Sequence, residues 1–260
     1  MTGKQWLAFC AFRDEYRSLC NKWQQFSAEL YPLQKQLADT SSVGYKLDTP
    51  VVYNRAFDDV HESDEIRYII VADNPGKQEQ QAVNQRYLVG FSGKLAEGFF
   101  ARTPSLDADF RKNVLVLNKT PIHTAKTTDL KRIFQAASKT VQDLILETQR
   151  TCAHLTFRLH EGLLSSSSST LPQLWIIGYA EMKRGKILCT YRDELLKLYE
   201  NRPSWSNVFV YQHFSMNRFS IELNKFLKEN NTDDVVDALY KIGRKHKKEV
   251  FFDASPFLTS

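Results

Sequence analysis

The sequence predicts a three-layer α/β/α domain around a central, mostly parallel four-stranded sheet, with an added N-terminal helix. Two observations carry that expectation. Four short runs, Arg67-Tyr-Ile-Ile-Val71, Asn113-Val-Leu-Val-Leu-Asn118, Leu174-Trp-Ile-Ile-Gly178 and Asn207-Val-Phe-Val-Tyr211, are dominated by apolar residues instead of alternating with polar ones. That pattern belongs to strands buried on both faces. The segments between them carry helical periodicity, and strands alternating with helices imply a parallel sheet with right-handed crossovers and helices on both sides.

Each element follows in chain order. Residues 4–31 read as one long amphipathic helix, with Trp6, Phe9, Phe12, Tyr16, Leu19, Trp23, Phe26 and Leu30 recurring at steps of three, four and seven. Pro32 is expected to kink it or to mark a second turn. Residues 40–50 form a Ser/Thr/Gly/Asp/Pro connector, after which the strand–helix alternation begins. The first strand spans 67–73, a helix 93–101 and the second strand 113–118. A long helical pattern runs from Asp129 to about His160. Ser165–Ser169 is a low-complexity run that reads as an exposed flexible loop. The third strand ends at Gly178, a charged helix covers about 182–201, and the fourth strand leads to His213. Helices fill about 217–229 and 233–246.

A chain of 260 residues with 42% hydrophobic and 25% charged side chains has the composition of a globular protein with a substantial core. The expectation is one domain over 1–260: an N-terminal helical appendage (1–40), a core (50–230), and a C-terminal helix and tail (231–260). No apolar run approaches the ~20 residues of a membrane span, and the first residues lead into a charged amphipathic segment unlike a signal peptide. These features predict no membrane partner and a cytoplasmic location. The net charge of +5 is compatible with a nucleic-acid partner without demanding one. The densest basic cluster, Arg244-Lys-His-Lys-Lys248, reads as a solvated helix end where cations oppose the helix dipole. Cys10, Cys20, Cys152 and Cys189 include no C-x-x-C pair, and Cys152 and His154 are out of helical phase, so no metal site is expected.

The chemistry concentrates where the strands end. In a parallel sheet all carboxyl ends share one edge, and ligands bind in the crevice beyond it. The first strand delivers Asp73-Asn74-Pro75-Gly76, the second Asn118, and the fourth His213 followed by Phe214-Ser215-Met216-Asn217-Arg218. Pro75 presets one backbone angle, and Gly76 would allow a turn or a close approach by a ligand. Taken singly these are turn residues; together they make a polar constellation. Competing chemistries fit less well. Gly90-Phe-Ser-Gly-Lys94-Leu95 lacks the glycine spacing and the Ser/Thr of a phosphate loop. No G-x-G-x-x-G follows a strand, and no G-x-S-x-G nucleophile elbow is present.

From about Tyr68 to Phe219 these pieces resemble the uracil-DNA glycosylase superfamily. Ala72-Asp-Asn-Pro-Gly76 is similar to the first motif of its mismatch-specific and single-strand-selective branches. Glu79 and Leu88-Val-Gly90-Phe-Ser-Gly93 resemble the next glycine-rich stretch of the thermostable iron–sulfur branch. Leu115-Val-Leu-Asn118 resembles the strand whose Asn reads the base, Leu171–Gly178 the third strand, and His213-Phe-Ser215 the start of the second catalytic motif. The cysteine pattern of the iron–sulfur branch is absent, so no cluster and no cofactor are expected.

The resemblance implies a monofunctional DNA glycosylase of base excision repair, hydrolysing the N-glycosidic bond of uracil or a related deaminated base. The alternatives are a non-catalytic DNA-binding relative and an N-glycosidase of free nucleosides or nucleotides. By resemblance Asn74 positions the attacking water with help from Asp73, and His213 stabilises the departing base. Asn118 reads the edge of a flipped base. Leu88 stands where a stacking phenylalanine is usual, with Tyr87 or Phe91 as substitutes. Pro75, Gly76, Ser215, Met216, Asn217 and Arg218 contact DNA, with Ser215 on a phosphate. Asn217 sits where a leucine-type wedge is usual, and Phe214 replaces a proline. The implied partner is DNA containing a deaminated base, bound by a monomer.

Overall fold

The computed structural model describes residues 1–40, 44–164 and 171–252. The Ser165–Ser169 run lies outside them. Four strands, β1 (Tyr68–Ala72), β2 (Val114–Asn118), β3 (Gln173–Ile177) and β4 (Val208–Tyr211), form one sheet in the order β2-β1-β3-β4. All pairings are parallel, so the chain is a three-layer α/β/α fold. β1 is buried at every position, as its unbroken apolar run requires.

Side chains alternate between the two faces of a strand. Tyr68, Ile70 and Ala72 of β1 pair with Val114, Val116 and Asn118 of β2, and Ile70 also pairs with Trp175 of β3. This face carries an aromatic layer. Tyr68 packs 4.8 Å from Trp175, which lies 4.9 Å from Tyr211, with ring centroids as reference. Two helices cover it: α3 (Phe91–Ala101) through Phe100, 5.5 Å from Tyr68, and α7 (Arg218–Glu229) through Phe219, stacked 6.0 Å from Trp175. Edge-to-face and offset ring pairs of this kind are worth about 0.5–1.5 kcal/mol each beyond the area they bury.

The opposite face packs under α1 (Gly3–Trp23), α5 (Lys139–Leu164) and α6 (Cys189–Tyr199). Phe12, Tyr16, Leu117, Asn118, Cys152 and Leu155 meet there around a void of only about 10 Å³. The added first helix packs on its own domain and buries its aromatic stripe: Phe9 and Trp23 are fully buried, and Phe12 and Tyr16 nearly so. The long first helix is two helices, α1 and α2 (Ser27–Asp39), joined by a 3₁₀ turn at Gln24–Phe26, and Pro32 sits inside α2. The pattern from Asp129 onward likewise divides into α4 (Thr127–Ala136) and α5. The last helix, α8 (Val235–Phe251), lies against β4, with Gly243 over Phe209 and Tyr211. Among the described residues no helix is long and apolar enough to cross a membrane.

Candidate active site at the carboxyl ends of the strands

β1 ends at Ala72, and the next residue, Asp73, points to the α5 side together with Lys119, the residue after β2. Lys119 is completely buried, and its ammonium donates to Asp73 Oδ1 and to the Ile177 carbonyl, both at 2.6 Å. Thr127, the first residue of α4, donates to the other carboxylate oxygen at 3.0 Å. Gly178 closes the group from β3. Its φ of +79° suits glycine, and a Cβ there would come within 2.7 Å of Asp73 Oδ1. Burial pulls the Lys119 pKa below its ordinary value, with the Asp73 charge opposing.

Asn74 faces the segment that follows β2. Its amide nitrogen donates to Thr124 Oγ1 at 2.8 Å and to the Thr124 and Pro75 carbonyls at 3.2 and 3.3 Å. Two carbonyl acceptors fix which end of the amide is nitrogen, and leave Oδ1 as the atom free to take a donor. The loop beneath is built from buried groups. His123 Nδ1–H donates to the Pro75 carbonyl at 2.8 Å, and Tyr45 OH pairs with Nε2 at 2.9 Å. Burial pushes the His123 pKa down to about 4, so the ring is neutral. Glu79 accepts from Gly76 N at 3.0 Å and Leu88 N at 2.9 Å, tying the two loops together, and burial lifts its carboxyl to about 7. Gly76 has an ordinary φ and nothing within 4 Å of a Cβ placed on it. The turn itself therefore does not require glycine there, which leaves the other expected use, a close approach by a ligand.

Asn118 differs from all of these. It is 3% exposed, and among the described residues neither Oδ1 nor Nδ2 reaches a partner. Asn118 borders the void of about 10 Å³ beside Leu117, and in-register pairing with Ala72 puts it on the face covered by α3. On that side Leu88 is clamped against α3, where a Cβ on Gly93 would overlap its carbonyl. Leu88 is buried, with φ at +49°. Tyr87 does not supply a free ring: it is 2% exposed, and its hydroxyl bonds the Val52 carbonyl and Tyr16 OH, both at 2.6 Å. Phe91 stands 71% exposed at the start of α3. Of the three candidate stacking residues, Leu88 alone is buried with no polar group of its side chain committed elsewhere.

His213 follows β4, partly open to solvent, and its Nδ1 accepts the Ser215 backbone N–H at 3.0 Å. A nitrogen that accepts carries no proton, so the neutral ring keeps its proton on Nε2. Desolvation lowers the His213 pKa; the neighbouring Asp73 charge raises it and Lys119 lowers it further. Asp73, Lys119 and His213 therefore share one electrostatic site. Beyond it Met216 and Asn217 both have φ of 55°, and Met216 is 71% exposed. Two successive left-handed non-glycine residues store roughly 1–3 kcal/mol each. Arg218 reaches back to Met216 Sδ at 3.9 Å.

Sequence reasoning named the residues at the strand ends, Lys119 among them as the residue after Asn118, but gave no role to Lys119 or Thr124. Lys119 adjoins Asn118, and a lysine following a strand reads as solvated; only the sheet shows that it is buried under β1. No protein-family model matches the sequence, and no curated protein matches it.

Proposed function

We propose that the protein is a monofunctional DNA glycosylase of the uracil-DNA glycosylase type, removing uracil or a related deaminated base from DNA. The observation that carries this reading is the wholly unpartnered carboxamide of Asn118, buried at the carboxyl end of β2. A buried amide without partners costs about 1–3 kcal/mol. One amide offers a donor and an acceptor side by side, the complement of the edge of a pyrimidine carrying a carbonyl and an N–H.

The neighbouring groups suit the bond to be broken. Cleaving an N-glycosidic bond leaves negative charge on the base and positive charge on the sugar. The Nε2–H of a neutral His213 is a fixed donor for the base oxygen. Asn74 Oδ1 is the acceptor for the attacking water, with the Asp73 carboxylate, held by Lys119 and Thr127, to assist it. A base reaches such a pocket only when flipped from the stack, at a cost of a few kcal/mol. The exposed Met216 beside His213 is the apolar side chain placed to fill the gap. The protein would act as a monomer on DNA in the cytoplasm.

The test is excision from oligonucleotides carrying one uracil, single-stranded and opposite adenine or guanine, followed by cleavage at the abasic site. The reading requires product from the unmodified chain, none from Asn74→Ala and strongly reduced product from Asn118→Ala. DNA binding without product from uracil, hypoxanthine or xanthine would assign the chain to the non-catalytic alternative, and turnover of a free nucleoside without oligonucleotide affinity to the other.

A further inference from the structure

A second feature lies away from the strand carboxyl ends. A cleft of about 680 Å³ opens between the segment leading into β4 and the last turns of α8. Arg202, Pro203, Trp205 and Ser206 form one wall, and Arg244, Lys245, Lys247, Lys248 and Phe252 the other. Among the described residues five cations line it and no carboxylate does. The wall from 202 to 206 precedes β4, so it belongs to the amino-terminal side of the sheet, opposite the edge that carries Asp73, Asn118 and His213.

Taken on α8 alone, the basic run satisfies the helix dipole and is solvated. That account does not cover Arg202, which comes from another element to face the same space. Nor does it cover the missing counter-charges. One turn earlier Lys241 is paired with Asp237 at 2.7 Å. Among the described residues no carboxylate pairs with Arg202, Arg244, Lys245, Lys247 or Lys248. Lys247 is buried, holds the Trp205 carbonyl at 2.5 Å and sits 4.5 Å from its ring. Arg244, Lys245 and Lys248 are exposed at helical spacing. Phe252, 41% exposed, offers a ring at the end of the cleft.

Unneutralised cations in a concave wall focus a positive potential. With an exposed ring beside them they suit a strand of phosphates whose bases are free to stack. We propose that this cleft binds the backbone of single-stranded nucleic acid, as a site separate from the one at the strand carboxyl ends. It stands without the glycosylase reading, since it needs no damaged base.

The test uses a fluorescein-labelled single-stranded oligonucleotide with no deaminated base, titrated by anisotropy at several salt concentrations. The double variant Arg244→Gln/Lys248→Gln should bind at least about 10-fold more weakly at low salt, with a log–log salt slope flatter by about 1.4, given ~0.7 per neutralised phosphate on single strands. Lys22→Gln/Lys35→Gln removes the same charge from α1 and α2 and should keep the original slope. Unchanged affinity and slope in the α8 variant, or an equal loss in the α1/α2 variant, would overturn the proposal. Circular dichroism of each variant separates lost binding from lost fold. Excision of uracil is read in its own assay, so loss of either function leaves the other measurable.

Discussion

Lys119 and Asp73 form an ion pair of 2.6 Å beneath the carboxyl edge of the sheet, with the lysine fully buried and the Asp73 side chain 13% exposed. Removing one member of such a pair strands a charge in a poorly solvated place, at a cost of about 3–5 kcal/mol. Lys119→Met should lose stability of that order in urea unfolding. The double variant Lys119→Met/Asp73→Leu should lose clearly less than the sum of the two single changes. Additive losses would mean that the two charges do not depend on each other.

Asn118 should show the opposite balance. Asn118→Leu removes two unpartnered buried polar atoms, so thermal unfolding should show equal or greater stability, by up to about 1–3 kcal/mol. Excision should fall by about 100-fold or more, the scale for loss of one fixed donor. A variant that is both less stable and fully active would mean that the amide serves the fold and not a ligand.

Thr124 is predicted to act through Asn74, whose amide nitrogen it accepts at 2.8 Å. Thr124→Val keeps the shape and removes the acceptor. The turnover rate should drop about 10- to 100-fold, because a small misplacement of a water-orienting group is costly. KM should change little. Thr124→Ser should restore most of the rate, an outcome a purely structural role would not give.

The pH dependence of stability follows from the buried imidazoles. His123 and His160 are both pushed down to about 4 by burial. Their folded values lie below the unfolded value of about 6.5. The stabilisation is therefore fully present above pH 6.5 and is lost as pH falls toward 4, when only the unfolded chain takes up the protons. Glu79, lifted to about 7, acts in the opposite sense: its contribution is complete below about 4.5 and is lost as pH rises through 7. His123→Gln should flatten the acid limb between pH 6.5 and 4. Since a shift of one unit corresponds to about 1.4 kcal/mol, His123 accounts for about 3 kcal/mol of it. An unaltered limb would place the titration elsewhere.

His213 should keep catalysis independent of pH through the ordinary histidine range. Its pKa is lowered, chiefly by desolvation, and its Nδ1 is held by the Ser215 N–H. The rate should decline only below about pH 6.5, where an unperturbed imidazole takes up its proton. A rate that halves at pH 6.5 or above would contradict a neutral donor.

Much of this was legible in the chain. The four apolar runs located every strand among the described residues, because a strand covered on both faces leaves no polar position to disguise it. The helical steps from Trp6 to Leu30 placed an amphipathic element, although they could not show the break at Gln24–Phe26, where a 3₁₀ turn preserves the same spacing. Asp73, Asn74, Asn118 and His213 were singled out as candidates because strand ends in a parallel sheet share an edge, which is a consequence of topology and needs no coordinates.

The sequence by itself therefore determined the elements, the parallel sheet and the short set of polar residues at its carboxyl edge, since these depend on local periodicity and chain order. Only the tertiary structure decided what each residue meets. It put Lys119 beneath Asp73, Thr124 on Asn74, and Tyr87 in the core with its hydroxyl already bonded to Tyr16 and Val52. It left Asn118 without a partner and brought Arg202 to face the cations of α8. Burial, pairing and pKa depend on groups dozens of residues away, and spacing along a chain carries no record of them until the chain has packed.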